Sequence, residues 1–437
     1  MEHIAMKARH QSAVRWVLMA SALAVAFAGC SSSASTSTLG IPTVSGASGR
    51  SGAIPAFYVP PRPLPAAPAG TLIRAERVIG VPGVPAGATA WRILFHSRSI
   101  YGADLAESGY VIAPGSPVPA GGYPVIAWAH GTTGFSATCA PSLFADGGGG
   151  TGPYLLPGLD QFLHAGFAVA AADYQGLGVS DDVHPYLLGS SEGQAVLDAT
   201  RAARDLPNLH TANTVVIYGH SQGGHAALFA GEMAPTYAPD LHVVGVVAAA
   251  PATGLSTLIS IVGTPLGQDF LPFSIPAAYS WTRAYRDLPV TDVFTPAGER
   301  FASSTVITGC LPALAAAITA EKVTPASMFQ SSASTNPVLV AHAKLNDPGQ
   351  VRTSVPVLVV QGTADTTVPP PLTDSFVTTK ACPIGDTIDY LRVTGATHST
   401  VVFVAVPAIL QWMKGRLVGQ PAPATCGQPG SAGHLSP

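Results

Sequence analysis

Charge is what this sequence has least of. Asp, Glu, Lys and Arg together make up 10% of 437 residues, the formal net charge is −3, and no run of Lys or Arg occurs. Nothing in that balance supports a nucleic-acid partner, because phosphate contacts need clustered cations. A neutral or apolar substrate suits such a surface better. Thirteen histidines are scattered without an H-E-x-x-H, and the five cysteines form no C-x-x-C, so no metal and no cofactor is expected. No internal repeat of useful length is present.

The uncharged stretch near the amino end, Trp16 to Gly29, is 14 residues. That falls short of the roughly 20 residues that span a bilayer. With Lys7, Arg9 and Arg15 before it and small residues at its end, residues 1–30 read as a secretory signal. Phe27-Ala28-Gly29-Cys30 resembles a bacterial lipobox, in which Cys30 would carry lipid, although Phe27 stands where Leu is usual. Ala26-Phe27-Ala28 also fits ordinary cleavage. Both readings imply export, either as an outer-face lipoprotein anchored in the membrane through Cys30 or as a freely secreted chain. Setting Cys30 aside leaves Cys139, Cys310, Cys382 and Cys426, an even set suited to two disulfides in an oxidising compartment. Residues 31–70 are rich in Ser, then Gly, then Pro, and read as a disordered tether.

From about residue 71 the pattern changes to short apolar strands separated by helical stretches. Ala90 to Phe95, Gly109 to Ala113, Pro124 to Ala129, Phe167 to Ala172, Thr214 to Tyr218 and His242 to Ala250 read as strands. Several are apolar at every position, as strands covered on both faces should be. A helix with the capping box Ser191-Glu192-Gly193-Gln194 leads into the Thr214 strand. Regular alternation stops over residues 252–350, which hold apolar clusters and a helical run from Leu311 to Lys322. This segment is either a cap over the site or an ordinary helical subdomain with its own core. Strands resume at Val355 to Val360 and Ile388 to Val393, and a terminal helix covers roughly 401–416. The expected fold is α/β, with a mostly parallel central sheet. Its core is split into 71–251 and 351–437, the latter ending in a flexible tail, around a mainly helical cap at 252–350.

Gly219-His220-Ser221-Gln222-Gly223 sits between the Thr214 strand and a helix beginning near Gly224. Strand, G-x-S-x-G, helix is the order of a nucleophile elbow, a turn so tight that glycines must flank the serine. A serine hydroxyl is a weak nucleophile and needs a base within reach, with an anion to orient that base. On this fold the chain order is Ser, acid, His, which Ser221, Asp365 and His398 satisfy. Asp365 lies 144 residues after Ser221, just past a buried strand, and His398 lies 33 further, in a glycine-containing loop. Asp347, Asp374 and Asp386 are worse placed. For His220 and His225 a packing role is expected. The oxyanion of an acyl-transfer intermediate needs backbone N–H donors, each worth about 3 kcal/mol in a dry site. Gln222 should supply one and the loop His130-Gly131-Thr132-Thr133-Gly134 the other, from Thr132 or from Thr133.

Five blocks together resemble the secretory lipase family of α/β hydrolases, over roughly residues 80–426. They are His130 to Gly134 with Cys139-Ala140-Pro141-Ser142, Asp173-Tyr174-Gln175-Gly176-Leu177-Gly178, His184-Pro185-Tyr186, Gly219 to Gly224, and Gly362-Thr363-Ala364-Asp365. The resemblance implies carboxylester hydrolysis, a cap over the site and no cofactor. It also implies that Cys139 pairs with Cys310 and Cys382 with Cys426. A yeast member of the family has an acidic side chain in its oxyanion loop, where this stretch offers only Thr and Gly, so a backbone donor is expected here.

The leading reading is an exported serine carboxylesterase or lipase that takes apolar, acylglycerol-like esters, at a lipid–water interface among other settings, through an acyl-enzyme. Two others compete with it. The same triad could serve a polyester, a cell-wall ester or a peptide, and the scaffold could serve as a non-catalytic lipid-binding lipoprotein.

Overall fold

The computed structural model describes residues 54–144, 154–179, 183–306 and 308–426, with two short strands at 43–45 and 433–435. The signal segment and Cys30 lie outside the described residues. Among the described residues eleven strands form one sheet: β1 Thr43–Ser45, β2 Leu72–Ile79, β3 Thr89–Arg98, β4 Asp104–Ala113, β5 Tyr123–Ala129, β6 Ala168–Ala172, β7 Thr211–His220, β8 His242–Ala249, β9 Val357–Gly362, β10 Ile388–Val393 and β11 Gly433–Leu435. Their spatial order is β1-β2-β3-β4-β6-β5-β7-β8-β9-β10-β11. β2, β3, β4 and β6 pair antiparallel with one another in that order, and every neighbouring pair from β6 to β11 is parallel. The chain is thus an α/β hydrolase with a mostly parallel sheet.

The apolar runs are explained by double burial. In β7, Val215 and Ile217 face one core with the helices Gly189–Ala203 and Gln222–Tyr237. Val216 and Tyr218 face the opposite core, built from the helices Leu159–His164 and Val406–Leu417. Strand-to-strand alternation therefore carries apolar side chains into both layers. Every loop at the carboxyl ends of β5, β7, β9 and β10 leaves from the same edge of this parallel array. That edge is where Ser221, Asp365 and His398 fall.

Between β8 and β9 the chain is helical, with Leu255–Ile261, Leu271–Ala284, Pro296–Thr305, Leu311–Ala320 and Pro337–Leu345 as its principal helices. They enclose a separate core that includes Leu271, Ile275, Trp281, Phe294, Leu314 and Leu339. The insertion therefore has the buried core of its own that a helical subdomain requires.

Several local expectations change. The helix of the capping box starts two residues early, at Gly189, and Ser191 makes no cap bond; Glu192 instead accepts the backbone N–H of Leu187 at 2.9 Å. The terminal helix is two helices, Val401–Val404 and Val406–Leu417, because Pro407 has no N–H to continue the first. The Pro-rich part of the expected tether is packed from Ile54 onwards. Phe57 and Tyr58 are buried, Arg92 lies over both rings, and the Tyr58 hydroxyl meets that of Ser142 at 2.8 Å. Two aromatic side chains outweigh the surrounding proline and serine.

Beneath the helix Gly189–Ala203, β4 buries a carboxyl completely. Glu107 has 0% exposure, and neither oxygen finds a hydrogen-bond partner among the described residues. The neighbouring Ser97 hydroxyl is committed to Asp198 at 2.9 Å. Burial, then the nearby Asp198 charge, pushes the Glu107 carboxyl well above its ordinary value of 4.5, so the folded state keeps it protonated. Asp173 and Asp198 are also raised, each to about 6, chiefly by burial. A carboxyl with a raised folded pKa contributes full stability below its unfolded pKa and loses it as pH rises toward the folded one. Glu107→Gln should therefore gain stability over the native chain by a margin that widens above about pH 4.5. Urea unfolding midpoints between pH 4 and 9 check this; parallel curves would show Glu107 ionised in the fold.

Candidate active site

The elbow is built by backbone proximity. Ser221 has φ 59° and ψ −119°, left-handed backbone that a side chain rarely adopts, between the end of β7 and the helix Gln222–Tyr237. Such strain costs about 1–3 kcal/mol and persists only where neighbours over-determine it. Here Ser221 N–H donates to Ala249 O at 3.0 Å, and Ser221 O accepts from His225 N and from Ala252 N, each at 3.1 Å. A methyl on Gly219 would overlap the Gly223 carbonyl, and one on Gly223 would overlap the carbonyl of Ala129 at the end of β5. These close approaches bring the loop after β5 against the first turn of the elbow helix. That juxtaposes Gln222 with the stretch holding Thr132 and Thr133.

Asp365 and His398 are joined. His398 Nδ1 lies 2.8 Å from Asp365 Oδ2, and Asp365 is 4% exposed. The carboxylate is fixed by three more donors: Gln361 Nε2 at 3.1 Å, and the backbone N–H groups of Thr367 and Val368, each at 2.9 Å. Since the carboxylate accepts, Nδ1 carries the proton and Nε2 is left as a base. Among the described residues no hydrogen bond joins the Ser221 hydroxyl to His398. In free enzymes this contact is often long and tightens only with substrate.

His220, expected to pack, holds the histidine loop instead. Its Nε2 lies 3.0 Å from the His398 carbonyl, its Nδ1 lies 2.7 Å from the Tyr154 hydroxyl, and its ring centroid is 4.7 Å from that of His398. A carbonyl only accepts, so Nε2 carries hydrogen and Nδ1 accepts from Tyr154. Burial, then the neighbouring His398, pushes His220 down to about 3, and it stays neutral.

The loop after β5 is anchored on two sides. The Thr132 hydroxyl meets the Tyr186 hydroxyl at 2.8 Å, and Trp281 Nε1 donates to Tyr186 O at 3.0 Å, linking loop to insertion. Leu311 N–H donates to Thr133 O at 2.9 Å and Phe135 N–H to Gly309 O at 3.2 Å. The Cys139–Cys310 disulfide closes the same junction, and Cys382–Cys426 pins the chain after the terminal helix, with Cα separations of 5.5 and 5.4 Å. These are the pairings the resemblance implies. The Thr133 hydroxyl is buried without a partner among the described residues. Among those residues, too, no group of His, Cys, Asp and Glu side chains is arranged to hold a metal ion.

The insertion and Leu187 line an apolar cavity of about 60 Å³, with Leu255, Leu258, Phe273, Ala277 and Trp281 among its walls. Leu255, on its wall, lies three residues beyond Ala252, whose N–H donates to Ser221 O.

A parallel sheet with a strained serine at the β7 elbow, and an acid–histidine pair from the loops after β9 and β10, defines an α/β hydrolase. The secretory lipase family profile matches residues 157–425, and the chain belongs to that family. It is 31% identical over 235 residues to the "Probable inactive lipase MT1628" of Mycobacterium tuberculosis, a match covering 51% of this chain and 50% of that one. The chain thus spans about half the length of that relative. It is 24% identical over 394 residues to Lipase A of Arthroderma benhamiae, covering 83% of this chain and 79% of the other. In fold it is similar to Candida antarctica lipase A in its closed state, with TM-score 0.72 and 20% identity over 87% of this chain and 89% of that one.

Reasoning from sequence missed Tyr154, Gln361 and Glu192. Only Glu192 carried a signal, as a candidate cap residue; the others lie in no motif. The elbow geometry yields a direct test. Gly223→Ala must push the Ala129 carbonyl aside, and overpacking of this kind costs about 1–3 kcal/mol. A urea midpoint within error of the native chain would show that the backbones do not meet there.

Proposed function

We propose that the chain is an exported serine carboxylesterase or lipase that cleaves apolar esters through an acyl-enzyme. The observation that carries this reading is the Asp365–His398 hydrogen bond of 2.8 Å on the same sheet edge as a strained Ser221. Ser221 is the nucleophile, His398 Nε2 takes its proton and returns it to the leaving alcohol, and Asp365 holds the imidazole and stabilises its charged form. Water, activated by the same nitrogen, then releases the acid. Backbone N–H groups of Gln222 and of Thr132 stabilise the oxyanion, with the unpartnered Thr133 hydroxyl as a further donor.

Residues 252–350 act as the cap over this site, between core segments 71–251 and 351–437. The apolar cavity supports an acyl chain as the group it covers, since little other than hydrocarbon would gain from that lining. Export is supported by the family and by the two disulfides, which persist in oxidising compartments. Lipid anchoring through Cys30 remains part of the proposal. The relative named as inactive sets the question of turnover sharply, and the intact acid–histidine pair supports activity here.

Ser221→Ala should lower turnover of p-nitrophenyl esters by roughly 10³-fold or more, with His398→Ala nearly as costly and the double variant little worse, because the triad acts as a unit. Undiminished turnover by Ser221→Ala would overturn the assignment. Ala277→Phe, which fills the cavity, should cut kcat/KM for long acyl esters about 10-fold or more while sparing acetyl esters. Equal losses on both would remove the acyl chain from that cavity. Peptide and polysaccharide-ester substrates in the same series decide between apolar esters and other acyl groups.

A further inference from the structure

Behind the elbow lies a second buried acid–histidine pair that the triad does not use. His225, one turn into the elbow helix, is completely buried. Its Nε2 is 2.7 Å from the Asn346 carbonyl and its Nδ1 is 2.8 Å from Glu192 Oε2. A backbone carbonyl only accepts, so Nε2 carries hydrogen. One further proton lies on the line from Nδ1 to Oε2. Glu192 Oε1 already accepts two N–H groups, from Leu187 at 2.9 Å and from Gln222 Nε2 at 2.7 Å. Donors gathered on a carboxylate favour its charged form, so the shared proton belongs to the imidazole. His225 is then a cation and Glu192 an anion, both out of contact with water. Burial opposes the charge on His225, but the bond to Glu192 and its charge outweigh it and raise the pKa above the ordinary 6.5.

The same carboxylate immobilises the residue next to the nucleophile. Gln222 Nε2 has two hydrogens; one goes to Glu192 and the other to His184 Nε2 at 2.8 Å. His184 Nδ1 in turn donates to Gln175 O at 2.9 Å, so His184 is neutral and its Nε2 is a lone-pair acceptor. Both amide hydrogens of Gln222 are thus committed and its side chain cannot turn. The backbone N–H of Gln222 is fixed from behind, much as the imidazole of His398 is fixed by Asp365.

We propose that Glu192 is a positioning residue for the oxyanion hole, holding Gln222 in place as the anion of a buried ion pair with His225. This rests on the reading of Gln222 as an oxyanion donor. The cation also moors the returning root of the insertion, because Asn346 ends the helix Pro337–Leu345 and its Oδ1 accepts the Gly189 N–H at 3.0 Å. The charged and titratable groups around His225 are Glu192 on the crossover helix, Asp347 beyond Asn346, Glu232 on its own helix, and His184 across Gln222. Asp347 is itself paired with Lys380 at 2.9 Å, and Glu232 accepts the Gly349 N–H at 2.7 Å. No other cation stands ready to replace His225 beside Glu192 among these groups. When His225 loses its proton at alkaline pH, a lone pair faces a carboxylate and the clamp opens.

Two kinds of measurement test this. Nitrogen-15 NMR of the full chain should show two hydrogens on the His225 ring at neutral pH, one of them lost as pH rises. A ring with one hydrogen at neutral pH overturns the ion pair, whatever the kinetics. In steady-state kinetics Glu192→Ala should lower kcat about 10- to 100-fold, less than the loss of an oxyanion donor, with KM within about twofold. Glu192→Gln keeps an acceptor for Gln222 and offers an N–H to neutral His225, so it should recover most of that loss. It should also lack the alkaline fall in kcat that the native chain shows. Glu192→Ala combined with Gln222→Ala should be no worse than the poorer single variant, since both open one clamp. Additive losses, a raised KM with unchanged kcat, or an alkaline limb retained in Glu192→Gln would each overturn the proposal. If Glu192→Ala does not fold, Glu192→Gln and the native pH profile still decide it. If Ser221→Ala proves fully active, the esterase reading fails while the state of the His225 ring is unaffected.

Discussion

The constraint on which the rest depends is the distance between backbones at the elbow. β7, the elbow helix and the end of β5 meet with no room for a side-chain carbon at Gly219 or Gly223. Ser221 is forced into a left-handed conformation as a result. Three backbone hydrogen bonds, one donated to Ala249 O and two accepted from His225 and Ala252 N–H, hold it there. Relaxing that conformation would cost the sheet its neighbour contacts, so the strain is stable. The serine therefore stands at the carboxyl edge of the sheet, and everything that serves it must arrive from loops on that edge.

Much of this was legible in the sequence because it is local. Apolar runs such as Val125 to Ala129 and Val357 to Val360 mark strands buried on both faces, and glycine on either side of Ser221 marks the elbow. Asp365 and His398 follow from chain order and from loops that directly succeed buried strands. What stayed hidden depends on partners far apart in the chain. Glu192 looks like a cap residue when only Ser191 and Gln194 are in view; its partners Gln222 and His225 are 30 and 33 residues away. Tyr154 meets His220 across 66 residues and belongs to no pattern. The tether was misread in part because composition averages over a window. Phe57 and Tyr58 are two residues in a proline-rich stretch, yet they find a site on β3 and order the segment around them.

The insertion is fastened more firmly than a hinged flap. Its roots are held at Asn346, by His225, and at Gly254, whose N–H donates to Asp347 at 2.8 Å. Its middle is stitched to the loop after β5 by the bonds at Thr133 and Phe135 and by a disulfide. Any opening is therefore confined to the helices on the far side of these attachments, such as Leu255–Ile261 and the turn before Leu271, where Leu266 is 73% exposed. Movement there would change access to the apolar cavity while leaving the loop around Thr132 undisturbed.

The two disulfides join Cys139 to Cys310 and Cys382 to Cys426, each cysteine to the next one along the chain, across 171 and 44 residues. A polypeptide threaded amino end first and oxidised as it emerges meets its cysteines in that order. Pairing each new thiol with the one still waiting gives both native bonds, and no exchange between them is needed. The rule has one condition, that no earlier thiol reaches Cys139 first. Cys30 is the sole cysteine that precedes it. Removing or capping that thiol before the body of the protein arrives would keep the sequence of pairings in register from its first step.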